Sequence, residues 1–301
     1  MPSPVAVVAA VTVRDTVACV TGAPRTGTPS PIVGSGPADS IRRMDRTNEA
    51  YGAEPGLRHS VADGVATVVI SHPARRNAMT AAMWRELPGL LARLGRDPAV
   101  RVLVLTGDGG TFCAGADITS LGPAVPDESP QELAVRAEDA LAAFPKPSLA
   151  AVRGYCVGGG CQLAAACDLR FAEEGAAFGI TPAKLGIVYP ASSTRRLVSL
   201  VGPATAKYLL FSGELIGTER ALRTGLVDEV LPAGELGKRV AEFVRVLAAR
   251  SQLTQAAAKE FAAGRADREA HWAEQARGSG DTAEGVAAFL ERRPPRFTWS
   301  G

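Results

Sequence analysis

The chain is poor in the side chains that most often carry catalysis. Its three histidines, His59, His72 and His271, lie far apart and show no H-E-x-x-H spacing. That excludes the helix-borne zinc site of a metallohydrolase, and no metal is expected. Five cysteines (Cys19, Cys113, Cys156, Cys161 and Cys167) form no C-x-x-C pair, and an odd number does not make a closed disulfide framework. Buried free thiols in a reducing compartment are expected instead. There is no G-K-[ST] of a P-loop and no G-x-S-x-G of a nucleophile elbow. A net charge of only +2, without a basic block interleaved with aromatics, argues against nucleic acid or an anionic membrane as a partner. No run reaches the ~18 apolar residues of a membrane span. The opening "VAVVAAVTV" has no Lys or Arg before it and meets Arg14 and Asp15 after it, unlike a signal peptide. The expected location is cytoplasmic.

What the chain has is a substantial core, with 46% hydrophobic residues over 301 positions. Residues 1–57 are rich in Pro, Gly, Ser and Thr and read as a disordered extension, within which Met44 is a candidate translation start. Further on, "GVATVVIS" (64–71), "VRVLVLTG" (100–107) and "PSLAAVRG" (147–154) read as strands, the second buried on both faces. "AAMWRELPGLLARLGRD" (81–97), "QELAVRAEDALAAF" (131–144) and "CQLAAACD" (161–168) read as helices, and "LRFAEEGAAFGI" (169–180) as short strands. Beyond Gly202 the pattern is mostly helical. The expectation is an α/β fold with a helical C-terminal part.

Two small-residue turns stand out, "CAGADI" (113–118) and "VGGGCQ" (157–162), each following an apolar strand. A dinucleotide-binding reading of Gly107-x-Gly109 fails because Phe112 occupies the position of the third glycine. Glycines in such turns serve tight packing between layers. They also let a ligand approach backbone N–H groups, and two such turns face to face would make a two-donor oxyanion hole.

Those segments, with "HPARRNAM" (72–79), "FGITPAKLGIVYPASSTRRL" (178–197), "GTERALRTGLVDEVLP" (217–232) and "EGVAAFLERR" (284–293), occur in order and resemble the crotonase (enoyl-CoA hydratase/isomerase) superfamily. The resemblance implies a crotonase-like spiral ββα superhelix over residues 58–245, followed by a helical trimerisation region over 246–301. The assembly it implies is a homotrimer or a dimer of trimers. It implies an acyl-CoA substrate, coenzyme A entering as part of that substrate and no separate cofactor. It places the thioester carbonyl between the N–H groups of Ala116 and Gly159. It assigns coenzyme A contacts to Arg75 and Arg76, to Ala114, Ala116, Asp117 and Ile118 of the "AGADI" loop, and to Phe289 and Arg292. Without the resemblance, Arg75 and Arg76 read as a solvated pair.

A hydratase of this superfamily uses two glutamates, at positions held here by Gln162 and Ala183. Glutamine cannot carry a proton away at neutral pH, and alanine neither donates nor accepts. The "TPAKLGIVY" segment is similar to that of methylmalonyl-CoA decarboxylase-type members, which places Tyr189 at the substrate carboxylate. Those members usually keep a glutamate where Gln162 stands. Packing of Tyr189 in the core is the competing reading. Decarboxylation is the leading expectation, with Gln162 and Tyr189 orienting the acyl group. A hydratase or isomerase using Glu138 or Asp139 is the second, and a silent acyl-CoA-binding scaffold the third.

Overall fold

The structure, a computed structural model, describes residues 54–117 and 129–300. Ile118 and residues 1–53 of the Pro/Gly-rich extension lie outside the described residues. The first strand, β1 (Gly56–Ala62), begins two residues inside the stretch read as extension. It turns through Asp63 and Gly64, both at positive φ, into β2 (Val65–Ser71). An Asp-Gly pair in that conformation twists with the strands it joins, which makes it a favoured two-residue hairpin turn.

From β2 the chain alternates. Helix α1 (Ala81–Arg96) starts at Thr80, whose hydroxyl accepts from the Met83 N–H. Strand β3 (Val102–Gly107) follows, and then α2 (Pro130–Ala142), opened by a reciprocal capping box between Ser129 and Glu132. Next come β4 (Ser148–Val152), β5 (Tyr155–Val157), α3 (Gly159–Ala166), β6 (Leu169–Glu173) and β7 (Ala177–Gly179). The long α4 (Ala191–Ser212) is broken at Gly202, and Pro203 follows the break. It leads to β8 (Ile216–Gly217), α5 (Thr218–Arg223) and β9 (Glu229–Leu231). Helices α6 (Leu236–Ala248), α7 (Gln252–Ala262), α8 (Glu269–Ser279) and α9 (Asp281–Leu290) complete the described chain.

The strands form two sheets. The larger runs β1-β2-β3-β4-β6-β9, parallel from β2 onward, and the smaller runs β5-β7-β8. From β4 on, successive turns of the chain give strands to both sheets, β4 then β5 and β6 then β7, with a helix closing each turn. That is the expected ββα spiral.

The central strands β2, β3 and β4 of the larger sheet are covered on both faces, which is why they are almost continuously apolar. Along β3, Leu103 and Leu105 enter the main core with Trp84, Leu87, Leu90 and Leu141. The alternate residues Val102 and Val104 face a second cluster with Val240 and Val244 of α6. The C-terminal helices are tied on by polar contacts: Lys259 of α7 reaches the Asp168 carboxylate at 2.8 Å and the Lys146 carbonyl at 3.1 Å. No helix among the described residues is long and apolar enough to cross a membrane.

Candidate active site

Two loops meet where the small sheet joins the large one. The first follows β3. Its Cys113 forms an isolated parallel bridge with Cys156 of β5, and its Ala116 forms another with Met79. In the second bridge the Met79 N–H donates to the Gly115 carbonyl at 2.8 Å, and the Asp117 N–H donates to the Met79 carbonyl at 2.9 Å. Met79 thus spends its groups on the residues either side of Ala116. The period-2 alternation of an extended segment then turns the Ala116 N–H the opposite way.

The second loop is the glycine triplet. Gly158, at φ 54, caps α3, and Gly159 is its first residue. A first helical N–H has no acceptor inside its own helix. Gly160 has to be glycine, because a Cβ there would stand 2.2 Å from the Cys113 carbonyl oxygen. That close approach presses the helix start against the first loop. A Cβ built on Gly159 would lie 3.6 Å from the Ala116 nitrogen. Since a Cβ stands about 2.5 Å from its own nitrogen, the two nitrogens lie within about 6 Å of each other. Two donors each about 2.9 Å from one shared oxygen satisfy the same limit. Among the described residues neither N–H donates to a protein acceptor. The wall beside them is Trp84 of α1, whose Cζ2 would be 2.9 Å from that Gly159 Cβ.

The rest of the first loop is held from behind by a residue that sequence reasoning passed over. Asn77 is wholly buried and sits at φ 58. Its Oδ1 accepts from the His72 N–H, and its Nδ2 donates to the carbonyls of Asp108 at 2.7 Å and Thr111 at 2.6 Å. The only signal available was its place inside the "HPARRNAM" motif. Next to it, the Arg76 carbonyl accepts from the Ala114 N–H at 3.0 Å, and its guanidinium lies 4.7 Å from the centre of the Tyr155 ring. Arg75 and Arg76 are exposed, at the edge of the loop. Asp117 is buried.

Gln162 is buried one turn into α3. Its Nε2 donates to Glu138 Oε2 at 2.6 Å and to Ser193 Oγ at 3.1 Å. Ser193 in turn donates to Glu138 Oε2, and Arg196 pairs with Glu138 Oε1. Glu138 is only 1% exposed, whereas the neighbouring Asp139 side chain is 54% exposed and meets Arg196 from outside. Of the two acids considered from sequence, the structure therefore brings only Glu138 to Gln162. Ser193 and Arg196 were not anticipated. Tyr189 is half-buried against the main core, and burial holds its hydroxyl pKa well above the usual tyrosine range, so at neutral pH it is a donor. Ala183 lies exposed in a 3-10 turn, Pro182–Leu185.

Phe289 and Arg292 are exposed at the end of α9, Phe289 at 82%, and no hydrogen bond or ion pair among the described residues links either to the two loops. Ile118 falls outside the described residues. The four described cysteines are buried free thiols, and burial pushes both Cys113 and Cys167 up to about 12. No group of residues suited to a metal occurs among the described residues.

The sequence profile described as enoyl-CoA hydratase/isomerase matches residues 60–300. The chain belongs to the enoyl-CoA hydratase/isomerase family. It is 34% identical to the 2,3-dehydroadipyl-CoA hydratase of Escherichia coli K12 over 247 residues, covering 77% of this chain and 94% of that protein. It is 35% identical to the crotonyl-CoA hydratase of Syntrophomonas wolfei over 244 residues, with coverage of 77% and 94%. Among solved structures, an enoyl-CoA hydratase/isomerase family member superposes with a TM-score of 0.77 at 41% identity, covering 84% of this chain and all of that one. The enoyl-CoA hydratase from Bacillus anthracis gives a TM-score of 0.73 at 29% identity, covering 80% and 98%. Membership establishes the crotonase fold and a family of enzymes acting on acyl-CoA.

Proposed function

We propose that this family member is a decarboxylase-type enzyme, forming a thioester enolate by loss of CO2 from a malonyl-type acyl-CoA. The thioester oxygen would sit between the Ala116 and Gly159 N–H groups. Charge builds on that oxygen as the enolate forms, and each well-placed donor lowers the barrier by about 3 kcal/mol. Breaking the bond to the departing CO2 leaves the electron pair on the α-carbon, so no base is needed. Tyr189, protonated at neutral pH, supplies a donor for the substrate carboxylate. Arg75 and Arg76, the 114–118 loop, and Phe289 and Arg292 are assigned to coenzyme A, the last two from a neighbouring copy in a trimeric assembly.

One observation carries the reading: the buried Glu138 spends both oxygens on Arg196, Ser193 and Gln162, while the positions that the resemblance gives to the two hydratase glutamates hold the uncharged Gln162 and Ala183. A second reading, hydration or isomerisation through Glu138, is favoured by that carboxylate's contact with Gln162 and by relatives named as hydratases. Mass spectrometry of a coenzyme A ester panel decides between them. Loss of CO2 from methylmalonyl-CoA or a relative supports decarboxylation, and turnover of crotonyl-CoA or a 3-enoyl-CoA selects the second reading. Tight binding with no turnover on any ester would point to a silent scaffold.

A further inference from the structure

Gln162 follows Gly159 by three residues, a spacing that puts both on one face of α3. Helical side chains lean toward the N-terminus of their helix, so the Gln162 amide is carried toward the two N–H groups of the candidate site. What lies behind it decides which end of the amide faces them. The Glu138 carboxylate accepts from Ser193 and Arg196 already, and it is Nε2 that faces it, at 2.6 Å. Ser193 gives its own proton to the same carboxylate oxygen, which leaves a lone pair for the second Nε2 proton at 3.1 Å. Both protons of Nε2 are thereby used. Among the described residues the amide oxygen of Gln162 accepts no hydrogen bond.

We infer that Glu138 and Ser193 are positioning residues that lock the Gln162 amide with its carbonyl oxygen toward the acyl group, where that oxygen holds the water that protonates the enolate. The inference rests on the decarboxylase reading. In the step it describes, the bond between the α-carbon and the carboxylate breaks and its electrons pass into the thioester enolate. The held water gives one proton to the α-carbon. Its hydroxide combines with the released CO2 as bicarbonate, so charge and atoms balance. A fixed acceptor suits a water or hydroxyl group and repels a carboxylate. It therefore assigns water to Gln162 and leaves the substrate carboxylate to Tyr189.

The full-length protein tests this by calorimetric binding of two stable probes, 3-hydroxybutyryl-CoA and butyryl-CoA, alongside kcat and KM for a malonyl-type ester. The hydroxyl of the first probe stands in for the water. The wild type should bind the hydroxy ester between about threefold and tenfold more tightly, the span of one net hydrogen bond. Gln162→Met should abolish that preference. Ser193→Ala should weaken it and lower kcat with little change in KM, while Ser193→Thr, which keeps the hydroxyl, should restore both. Equal binding of the two esters by the wild type, or an undiminished preference in Ser193→Ala, overturns the inference. If no ester loses CO2 yet the preference follows Gln162 and Ser193, the decarboxylase reading fails and the locked acceptor stands.

Discussion

Replacing Gly159 by alanine adds one methyl group at the point where the two loops and the Trp84 ring converge, and the structure fixes what it would meet. Its carbon would lie 2.9 Å from Trp84 Cζ2, 3.2 Å from Cη2 and 3.6 Å from the Ala116 nitrogen. The first two distances are too short for carbon against carbon, and the ring that imposes them is only 1% exposed within the core. Either the ring or the start of α3 must move. The backbone of Gly159 is not at positive φ, so alanine itself is conformationally acceptable and brings up to about 1 kcal/mol of helix preference. Against that stands a local overpacking cost of about 1–3 kcal/mol. The net change in stability is therefore about 0–3 kcal/mol, and the protein should remain folded.

Activity should respond far more. Relief of the overlap displaces the Gly159 N–H from the shared acceptor, and losing one oxyanion donor typically lowers kcat by about 10²–10³. The assay is kcat on whichever ester the panel identifies, paired with a urea midpoint on the same preparation. Gly160→Ala provides the contrast, because its Cβ would meet backbone, the Cys113 carbonyl carbon at 2.9 Å and its oxygen at 2.2 Å. That variant should lose stability first. A folded Gly159→Ala enzyme with wild-type kcat would refute the two-donor account.

Gln162→Glu sets a second buried carboxylate against Glu138, and burial beside a like charge raises the introduced acid's folded-state pKa above the unfolded value of about 4.3. Stability should then be highest in acid and fall as pH rises through the raised value, by about 3 kcal/mol at neutral pH, with Glu138→Gln in the same chain recovering part of it; urea midpoints at pH 5 and pH 8 check the sign. Asn77→Ala strips buried backbone groups of their partners and places alanine at φ 58, so a loss of about 2–4 kcal/mol is expected in urea unfolding. Cys113 and Cys167, held near 12, are only about one part in ten thousand thiolate at pH 8. Both should escape iodoacetamide in the native protein and react once it is denatured, as read by peptide mass spectrometry. Their raised values also mean that the unfolded state releases protons first, so stability should decline between about pH 9 and pH 12.

The parts of this architecture that were legible in sequence are those whose signal is local. Thr80 before an apolar period, the β-branched run from Val65 and the doubly buried strand from Val102 all appear where the pattern placed them. Strand β1 was readable in principle from Asp63-Gly64, yet "GLRHSVA" buries none of its residues and, with Arg58, His59 and Ser60 in a row, resembles the extension before it. Strands β5, β8 and β9 are two or three residues long and exist only because a neighbour pairs with them, so no window of sequence contains their cause. Helix α8 buries no residue, which removes the amphipathic period that would have announced it. The site divides in the same way. The two loops that meet at the candidate site were read from their glycine turns, whereas Ser193 and Arg196 lie 55 and 58 residues from Glu138 and had no signal beyond their place inside the 178–197 segment.

That division bears on how the chemistry of such a site changes. The two candidate N–H donors come from backbone, fixed by the Met79–Ala116 bridge and by the tight seat of Gly160 on Cys113, so side-chain substitution beside them leaves them in place. Here Glu138 of the packed helix α2 is the buried carboxylate that meets α3, and Gln162 interposes a neutral amide between it and the candidate site. Both carboxylate oxygens are engaged, one by Arg196 and the other by Ser193 and Gln162. The same group can set the direction of an amide at no change in charge. On the proposed decarboxylase reading the carboxylate then serves to position its neighbour, a role that a reaction needing no base would tolerate and one needing a base would not.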